Sequence, residues 1–165
     1  MKISITSVWA VLVLVLSACS FQRKVVEVKT TPTPPTLELA KDQVAISFEQ
    51  TACFGTCPVH KMVIYGQGHA TYHADRHTKK QGDFIAGLTP EQMIAIFKKA
   101  NELSFFELED EYTGNITDLP TTVIYLNDGT RKKKVTAYYD YPENLKEFIK
   151  YLSILTQETE WNSAE

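Results

Sequence analysis

Apolar and polar residues alternate with a period of two over the first part of the chain that looks able to fold. The pattern starts at Val44 and is typical of a strand with one buried face. It predicts further strands over residues 59–65, 69–74 and 78–85, with Gly66-Gln67-Gly68 as the turn between the second and the third. We expect these four strands to pair as consecutive antiparallel neighbours.

Two later segments carry apolar residues at helical spacing. The first begins at Thr89, where Pro90 and Gln92 complete a capping box. Its predicted buried stripe is Met93, Ile96, Phe97, Ala100 and Leu103. Pro142 opens the second helix, and its predicted buried stripe is Leu145, Phe148, Ile149, Leu152 and Leu155.

A second hairpin is predicted between the two helices. Residues 122–126 and 133–139 flank Asn127-Asp128-Gly129, where Asp-Gly favours a primed turn. The order along the chain is therefore ββββ-α-ββ-α. This order is typical of an α+β domain in which two helices pack on one face of an antiparallel sheet.

The N-terminal segment has the pattern of a secretion signal. Its uninterrupted apolar run, residues 8–16, is shorter than the ~20 residues of a membrane-spanning helix. Leu16-Ser17-Ala18-Cys19 resembles a bacterial lipobox. We therefore expect residues 1–18 to be removed as a signal peptide and Cys19 to be lipidated, with palmitate among the attached acyl chains. An ordinary signal peptide with an incidental cysteine, or an uncleaved anchor, is the alternative.

The residue after the cysteine bears on the membrane to which the protein is sorted. In lipoproteins that this one resembles, an aspartate at that position retains the protein at the inner membrane, and here the residue is Ser20. The resemblance implies a cell-membrane lipid anchor, in the outer membrane and facing the periplasm where the host has one.

A proline-rich segment separates the lipidation site from the folded part. Residues 19–41 include Thr-Pro-Thr-Pro-Pro-Thr, which favours an extended spacer. About 120 residues remain, which is enough for one domain with a substantial core and no need for a metal or a cofactor. We place this single α+β domain at residues 42–160 and a disordered tail at 161–165.

The net charge and its distribution limit which classes of partner the protein could bind. The chain carries a net charge of −3, with acidic and basic residues interspersed, which argues against nucleic acid. The one basic cluster, Arg131 to Lys134, follows the predicted hairpin turn. We interpret it as a solvated strand face or a strand edge that lysines protect from aggregation.

The cysteines indicate a short disulfide loop. Of the three in the chain, the lipid would occupy Cys19, which leaves Cys53 and Cys57 in an exported, oxidising setting. Gly55 between them tolerates positive φ and would let the loop fold tightly. A loop this small contributes only about 2 kcal/mol to stability.

Several motifs together resemble a known family. They are Cys53-Phe-Gly-Thr-Cys-Pro58, Ile64-Tyr-Gly-Gln-Gly68, Tyr72, Phe105-Phe106 and Asp118-Leu-Pro-Thr-Thr122. The chain resembles the bacterial domain-of-unknown-function family 6438 over residues 44–155, and it departs from that pattern in its histidine-rich stretch, residues 69–77. The resemblance implies domain limits and carries no catalytic role.

Three kinds of chemistry are open to the residues. Thiol–disulfide redox chemistry by Cys53 and Cys57 is one possibility. Proteins that perform it normally have two residues between the cysteines, at a helix N-terminus, whereas here three residues separate them and strands flank the loop. A metal site could draw on these cysteines with His60, His69, His73 and His77, provided that a turn at Asp75-Arg76 brings His73 near His77. Acid–base hydrolysis could use Asp110, Glu111, Asp118 or Asp140, although carboxylates near turns are more often caps.

The sequence favours a non-catalytic module over these enzymatic or metal-handling alternatives. We expect no catalytic residue, no cofactor and no resident metal. The candidate binding surface comprises Phe54 and Gly55 of the cysteine loop and the tyrosines Tyr138, Tyr139 and Tyr141, part of which core packing would explain. Its partner would be an envelope protein, a peptide or a cell-wall ligand.

Overall fold

The computed structural model describes residues 39–164. The predicted signal peptide, Cys19 and most of the predicted tether lie outside the described residues. Within residues 39–164, no helix is both long enough and apolar enough to cross a membrane.

One sheet and two α-helices make up the described fold. The strands are β1 (Val44–Gln50), β2 (Val59–Tyr65), β3 (His69–Arg76), β4 (Gly82–Gly87), β5 (Glu111–Tyr112), β6 (Thr122–Asn127), β7 (Lys132–Ala137) and β8 (Asn162–Ser163). The helices are α1 (Pro90–Glu102) and α2 (Glu143–Glu158), and a short 3₁₀ helix spans Phe105–Glu107. The α+β class is confirmed.

The sheet has the order β5-β7-β6-β1-β2-β3-β4-β8. The first four strands are consecutive antiparallel neighbours, as predicted. The sheet differs from the prediction in being mixed, because β5 pairs with β7 in parallel, and in having eight strands rather than six. The added strands, β5 and β8, contain two residues each, which is too short to leave a periodic pattern in the sequence.

Alternation along the strands places the apolar side chains on one face of the sheet. Phe48 of β1 lies opposite both Met62 of β2 and Ile124 of β6, and all three side chains are buried. The inward residues include Ile46, Phe48, Met62, Ile64, Ala70, Tyr72, Ile124, Leu126 and Val135. These residues form a single core cluster with the buried stripes of both helices.

Both helices begin where the sequence predicts. Thr89 and Gln92 form the capping box, in which the Gln92 amide donates to Thr89 Oγ1 and the Thr89 amide donates to Gln92 Oε1. Pro142 is the N-cap residue of α2. The predicted stripes face the core: Met93, Ile96, Phe97, Ala100, Leu145, Phe148 and Leu152 are buried, while Leu103, Ile149 and Leu155 are partly buried.

The domain limits extend beyond the predicted ones at both ends. Leu39, assigned to the tether, is buried against the turn at Gly66, where an added Cβ would lie 2.5 Å from Leu39 Cβ. Trp161, assigned to a disordered tail, is buried, and its indole nitrogen donates to the Thr156 carbonyl over 2.8 Å. Residues 162–163 then pair with β4 as strand β8. The tail prediction is therefore corrected for residues 161–164.

Two predicted turns differ from the structure. Strand β4 begins at Gly82 rather than at residue 78, because positive φ angles at His77 and Gly82 interrupt the extended chain between β3 and β4. The turn between β6 and β7 is a four-residue loop over 128–131 rather than a two-residue primed turn. This loop folds around the buried Asp128 carboxylate, which accepts hydrogen bonds from the amides of Thr130 and Arg131.

The basic cluster contains two kinds of residue. Lys132 and Lys134 are exposed, and they lie in β7 before the residues that pair with β5. Their role in protecting this edge from aggregation stays a prediction. Arg131 has a structural role instead. Its guanidinium lies 3.9 Å from the centre of the Phe106 ring and pairs with Asp128.

Candidate functional site

The disulfide loop lies between β1 and β2, at the end of the sheet where β1, β3 and β7 finish and β2 and β6 begin. We call this the disulfide end. Cys53 and Cys57 are joined there, with their Cα atoms 5.7 Å apart. Gly55 lacks the positive φ that we expected; instead its amide donates to Cys53 Sγ over 3.3 Å.

Two of the sequence motifs meet at this end. The Phe54 amide donates to the Asp118 carbonyl over 3.3 Å, so the loop of the C-x-G-x-C-P motif contacts the loop of the D-x-P-T-T motif. Thr51 and Thr121 add two further hydrogen bonds: the Thr51 amide to the Thr121 carbonyl, and the Thr121 amide to Thr51 Oγ1. These contacts continue the pairing of β1 with β6 beyond the strands. They fix the two loops relative to each other.

Removing the disulfide tests how far it orders this end. Replacing both Cys53 and Cys57 by serine should lower the free energy of unfolding by about 2 kcal/mol, because the unfolded chain regains the loop entropy. Denaturant unfolding measures this loss. Hydrogen exchange at the Phe54 amide should also accelerate. A Thr56→Ser control in the same loop should change neither quantity, and equal stability of the double variant and the control would contradict the prediction.

Four of the six exposed large apolar side chains among residues 39–164 lie in these loops or in the segment after β7, and the other two are Ile85 and Ile154. Phe54 is 89% exposed, and Ile116, Leu119 and Tyr139 are the neighbouring exposed members. We call these four residues the disulfide-end patch. The segment that carries Ile116 and Leu119 is attached on its other side as well, since the Tyr138 hydroxyl donates to the Ile116 carbonyl.

The tyrosine cluster is divided between this surface and the core. The ring of Tyr139 lies over Gly114, where an added Cβ would come within 2.5 Å of Tyr139 Cδ1. Tyr138 is half-buried, and Tyr141 packs against the core cluster. Of the residues predicted to form a binding surface, Phe54, Gly55 and Tyr139 are exposed, whereas Tyr141 packs against the core.

A cavity of about 540 Å³ opens at the same end of the sheet. It lies between the sheet and the last turns of α2. Its lining includes Pro58 of the cysteine motif, His60, Tyr72, Ser153, Thr156 and Trp161. The rings of Tyr72 and Trp161 stack with their centres 5.0 Å apart, which places the C-terminal residues of the domain in the wall of the cavity.

His60 is the buried titratable group of this cavity. Its Nε2 lies 3.0 Å from Gln50 Oε1, and because a carbonyl oxygen only accepts, Nε2 carries the hydrogen. Nδ1 is then an acceptor, and it has no hydrogen-bond partner among the residues described. Burial lowers the pKa of His60 to about 4, so the ring is neutral near neutral pH. Burial also raises the pKa of the Tyr72 phenol.

The histidines considered for a metal site do not come together. Strand β3 runs on to Arg76, so the turn at Asp75-Arg76 that this alternative requires is absent. His73 instead faces Asp83 across the β3–β4 pair, with Nδ1 2.6 Å from Oδ1. Between Leu39 and Ala164, no group of three histidine, cysteine or acidic side chains is placed to hold a metal ion.

The aspartates and cysteines considered for acid–base or redox chemistry make contacts that are typical of structural residues. Asp110 pairs with Lys133, and the Asp118 carboxylate accepts from the Thr117 hydroxyl in a loop where Asp118 has a positive φ. The two cysteines lie between strands rather than at a helix N-terminus, the position that lowers a thiol pKa.

Sequence reasoning missed the combination of His60, Tyr72 and Trp161. The signal for His60 was present, since the alternation of β2 puts residues 60, 62 and 64 on the inner face. No local signal places Trp161 beside them, because its position depends on how the chain leaves α2.

Comparison with known protein families identifies the domain. The model of a family described as a domain of unknown function (DUF6438) matches residues 44–156 and confirms the resemblance carried by the motifs. No curated protein and no solved structure matches the chain.

Proposed function

We propose that this chain, which belongs to the DUF6438 family, is a membrane-anchored envelope lipoprotein whose domain is a non-catalytic binding module for a protein partner. The lipobox at Leu16-Ser17-Ala18-Cys19 supports the anchor, and the Ser20 that follows supports the outer membrane, facing the periplasm, in a host that has one. The partner binds at the disulfide-end patch.

The observation that carries this proposal is the placement of Phe54. An aromatic side chain that is 89% exposed loses favourable burial in the free protein, and here a covalent loop and a backbone hydrogen bond to Asp118 keep it exposed. Rigid aromatic side chains are the usual anchors of protein interfaces, because burying them costs little conformational entropy.

Charge around the patch indicates what kind of protein fits. The three segments that form it, residues 50–59, 112–123 and 137–143, contain no lysine or arginine. They carry Asp118, Asp140 and Glu143, all exposed. A partner surface with apolar side chains and a basic rim would therefore be complementary, and rim charges of this kind raise association rates and fix orientation.

Site-specific photo-cross-linking in the native host tests both parts of the proposal. A photoreactive phenylalanine at position 54 should give a discrete adduct with one envelope protein, and the cross-linked peptide should carry lysine or arginine close to the linked site. Position 67 is the matched control, because Gln67 is exposed in the turn between β2 and β3 at the opposite end of the sheet. Asp118→Asn with Asp140→Asn should lower the adduct yield by about threefold to tenfold.

The same material tests the anchor. Intact mass of the purified protein should show an N-terminus at Cys19 that carries acyl chains, and retention of Met1 would contradict the lipoprotein assignment. Equal yields at positions 54 and 67 would contradict the docking surface. Adducts at position 54 with glycan or lipid alone would replace the protein partner with a cell-wall or membrane ligand.

A further inference from the structure

The cavity beside the disulfide end has a charge opposite to that of the chain. The protein carries a net charge of −3, yet Lys79 and Lys80 line the cavity and no carboxylate does. Glu158 and Glu160 lie next to lining residues in the sequence, at the end of α2 and just after it, but neither is part of the cavity wall. Neither lysine forms an ion pair with any residue from 39 to 164.

One of these lysines is held at the mouth of the cavity. Lys80 Nζ lies 3.4 Å from the Trp161 carbonyl oxygen and 5.7 Å from the centre of the Phe84 ring. A carbonyl oxygen leaves the ammonium charge uncompensated, so an anionic group at this point would gain a charge-assisted hydrogen bond.

The inner wall offers acceptors. His60 Nδ1 is a buried acceptor, with the residue only 7% exposed, and has no hydrogen-bond partner among residues 39–164. The hydroxyls of Ser153 and Thr156 donate to the carbonyls of Ile149 and Leu152 within α2, so their oxygens retain lone pairs that can accept. Because Nδ1 itself has almost no exposed surface, a molecule in the cavity would reach it with an O–H or N–H donor only after a small rotation of the His60 ring.

Two aromatic side chains also contribute to the wall. Tyr72 and Trp161 both line the cavity, and rings of this kind attract C–H groups because the face of an aromatic ring is electron-rich. A volume of about 540 Å³ falls within the usual range for small-molecule sites.

We propose that this cavity binds a small acidic sugar, meaning a hydroxylated ring that carries a carboxylate or a phosphate. Its acidic group pairs with Lys79 and Lys80, a hydroxyl donates to His60 Nδ1, and the C–H face of the ring packs on the aromatic wall. This site is separate from the disulfide-end patch and goes beyond the docking function proposed above.

Titration calorimetry on the full-length protein in detergent tests this site with four defined probes. They are glucuronate, glucose 6-phosphate, glucose and acetate. At least one of the two acidic sugars should bind, glucose and acetate should bind at least about tenfold more weakly, and added salt should weaken the binding. The two acidic probes distinguish a carboxylate ligand from a phosphate ligand.

Matched variants locate the binding. Lys79→Gln should weaken it at least about tenfold, whereas Lys132→Gln on the remote β7 edge should leave it unchanged. His60→Gln should weaken it similarly and His73→Gln, on the solvent face of β3, should not. Lys79 is exposed, so its variant remains informative where the His60 variant does not fold.

Two outcomes would overturn the acidic-sugar site. The first is the absence of binding by either acidic sugar up to about 10 mM, and the second is equal affinity for glucose or acetate. Unchanged affinity in Lys79→Gln would also overturn it. Cross-linking from position 54 does not depend on these residues, so a failure of this site leaves the docking proposal standing and can be told apart from it.

Discussion

Replacing Asp128 by alanine should lower the free energy of unfolding by about 3 kcal/mol, because several partly buried hydrogen bonds end on this one buried carboxylate. Its Oδ1 accepts from the Thr130 amide, the Thr130 hydroxyl and the Arg131 amide, at 2.9, 2.8 and 2.7 Å. Its Oδ2 accepts from Arg131 Nε at 2.9 Å. Denaturant unfolding of the variant measures the loss.

The effect should extend beyond the β6–β7 loop. Asp128 fixes the guanidinium of Arg131, whose Nη2 donates to Asn101 Oδ1 at the end of α1 and whose plane covers the Phe106 ring. Loss of the carboxylate therefore loosens the contact between the hairpin and the helix. Faster hydrogen exchange at the last turn of α1 should accompany the loss of stability.

Asp128→Asn is the matched control, since the amide keeps one accepting oxygen and loses the charge. It should cost about half as much as the alanine substitution. A loss below about 1 kcal/mol in Asp128→Ala would show that solvent replaces these hydrogen bonds and would contradict the prediction.

The stability of the fold at low pH should also depend on the Asp128 carboxylate. Burial alone would raise the pKa of Asp128, but hydrogen bonds from the backbone and side chains of Arg131 and Thr130 outweigh it and lower the pKa from 3.8 to about 2. A carboxyl pKa that is lower in the folded state stabilises the fold above 3.8, and this contribution is lost as the pH falls towards 2.

Much of the sheet could be predicted because its information is local. Strands β1, β2 and β6 begin at the predicted residues, and Thr89 and Pro142 cap the two helices. Period-two and helical spacing are properties of neighbouring residues, and so are caps. The pairing of β6 with β1 joins residues between 72 and 80 positions apart, and no local pattern encodes which strands become neighbours.

The candidate sites also combine local features, which the sequence predicts, with long-range contacts, which it does not. The cysteine loop is a local feature, and its spacing together with the signal for export was enough to predict it. The contact of this loop with Asp118 and the packing of Trp161 on Tyr72 join residues that are far apart in the sequence, so no local pattern predicts them. The predicted tail shows what local patterns miss. Residues 161–165 are mostly polar and terminal in sequence, yet the indole ring of Trp161 completes the core and the cavity wall.

The surroundings of His60 lead to the second large effect. The imidazole packs between Phe48 and Tyr72, with ring centres 5.3 and 5.5 Å away. Gln50 bonds its Nε2, and the charged or titratable groups that share its cavity are Tyr72, His77, Lys79 and Lys80. No carboxylate lines this cavity to stabilise an imidazolium, which is why burial lowers the pKa of His60 from 6.5 to about 4.

Acidification should therefore destabilise the domain between pH 6.5 and about 4 through this one residue. In that window the unfolded chain takes up a proton at His60 and the folded chain does not, so stability falls as the pH falls. At about 1.4 kcal/mol per pKa unit, the full loss from His60 is about 3 kcal/mol. Urea unfolding across the window measures the slope. His60→Gln should remove this slope and His73→Gln should keep it, because His73 lies on the exposed face of β3; an unchanged slope in His60→Gln would assign the acid sensitivity to other groups.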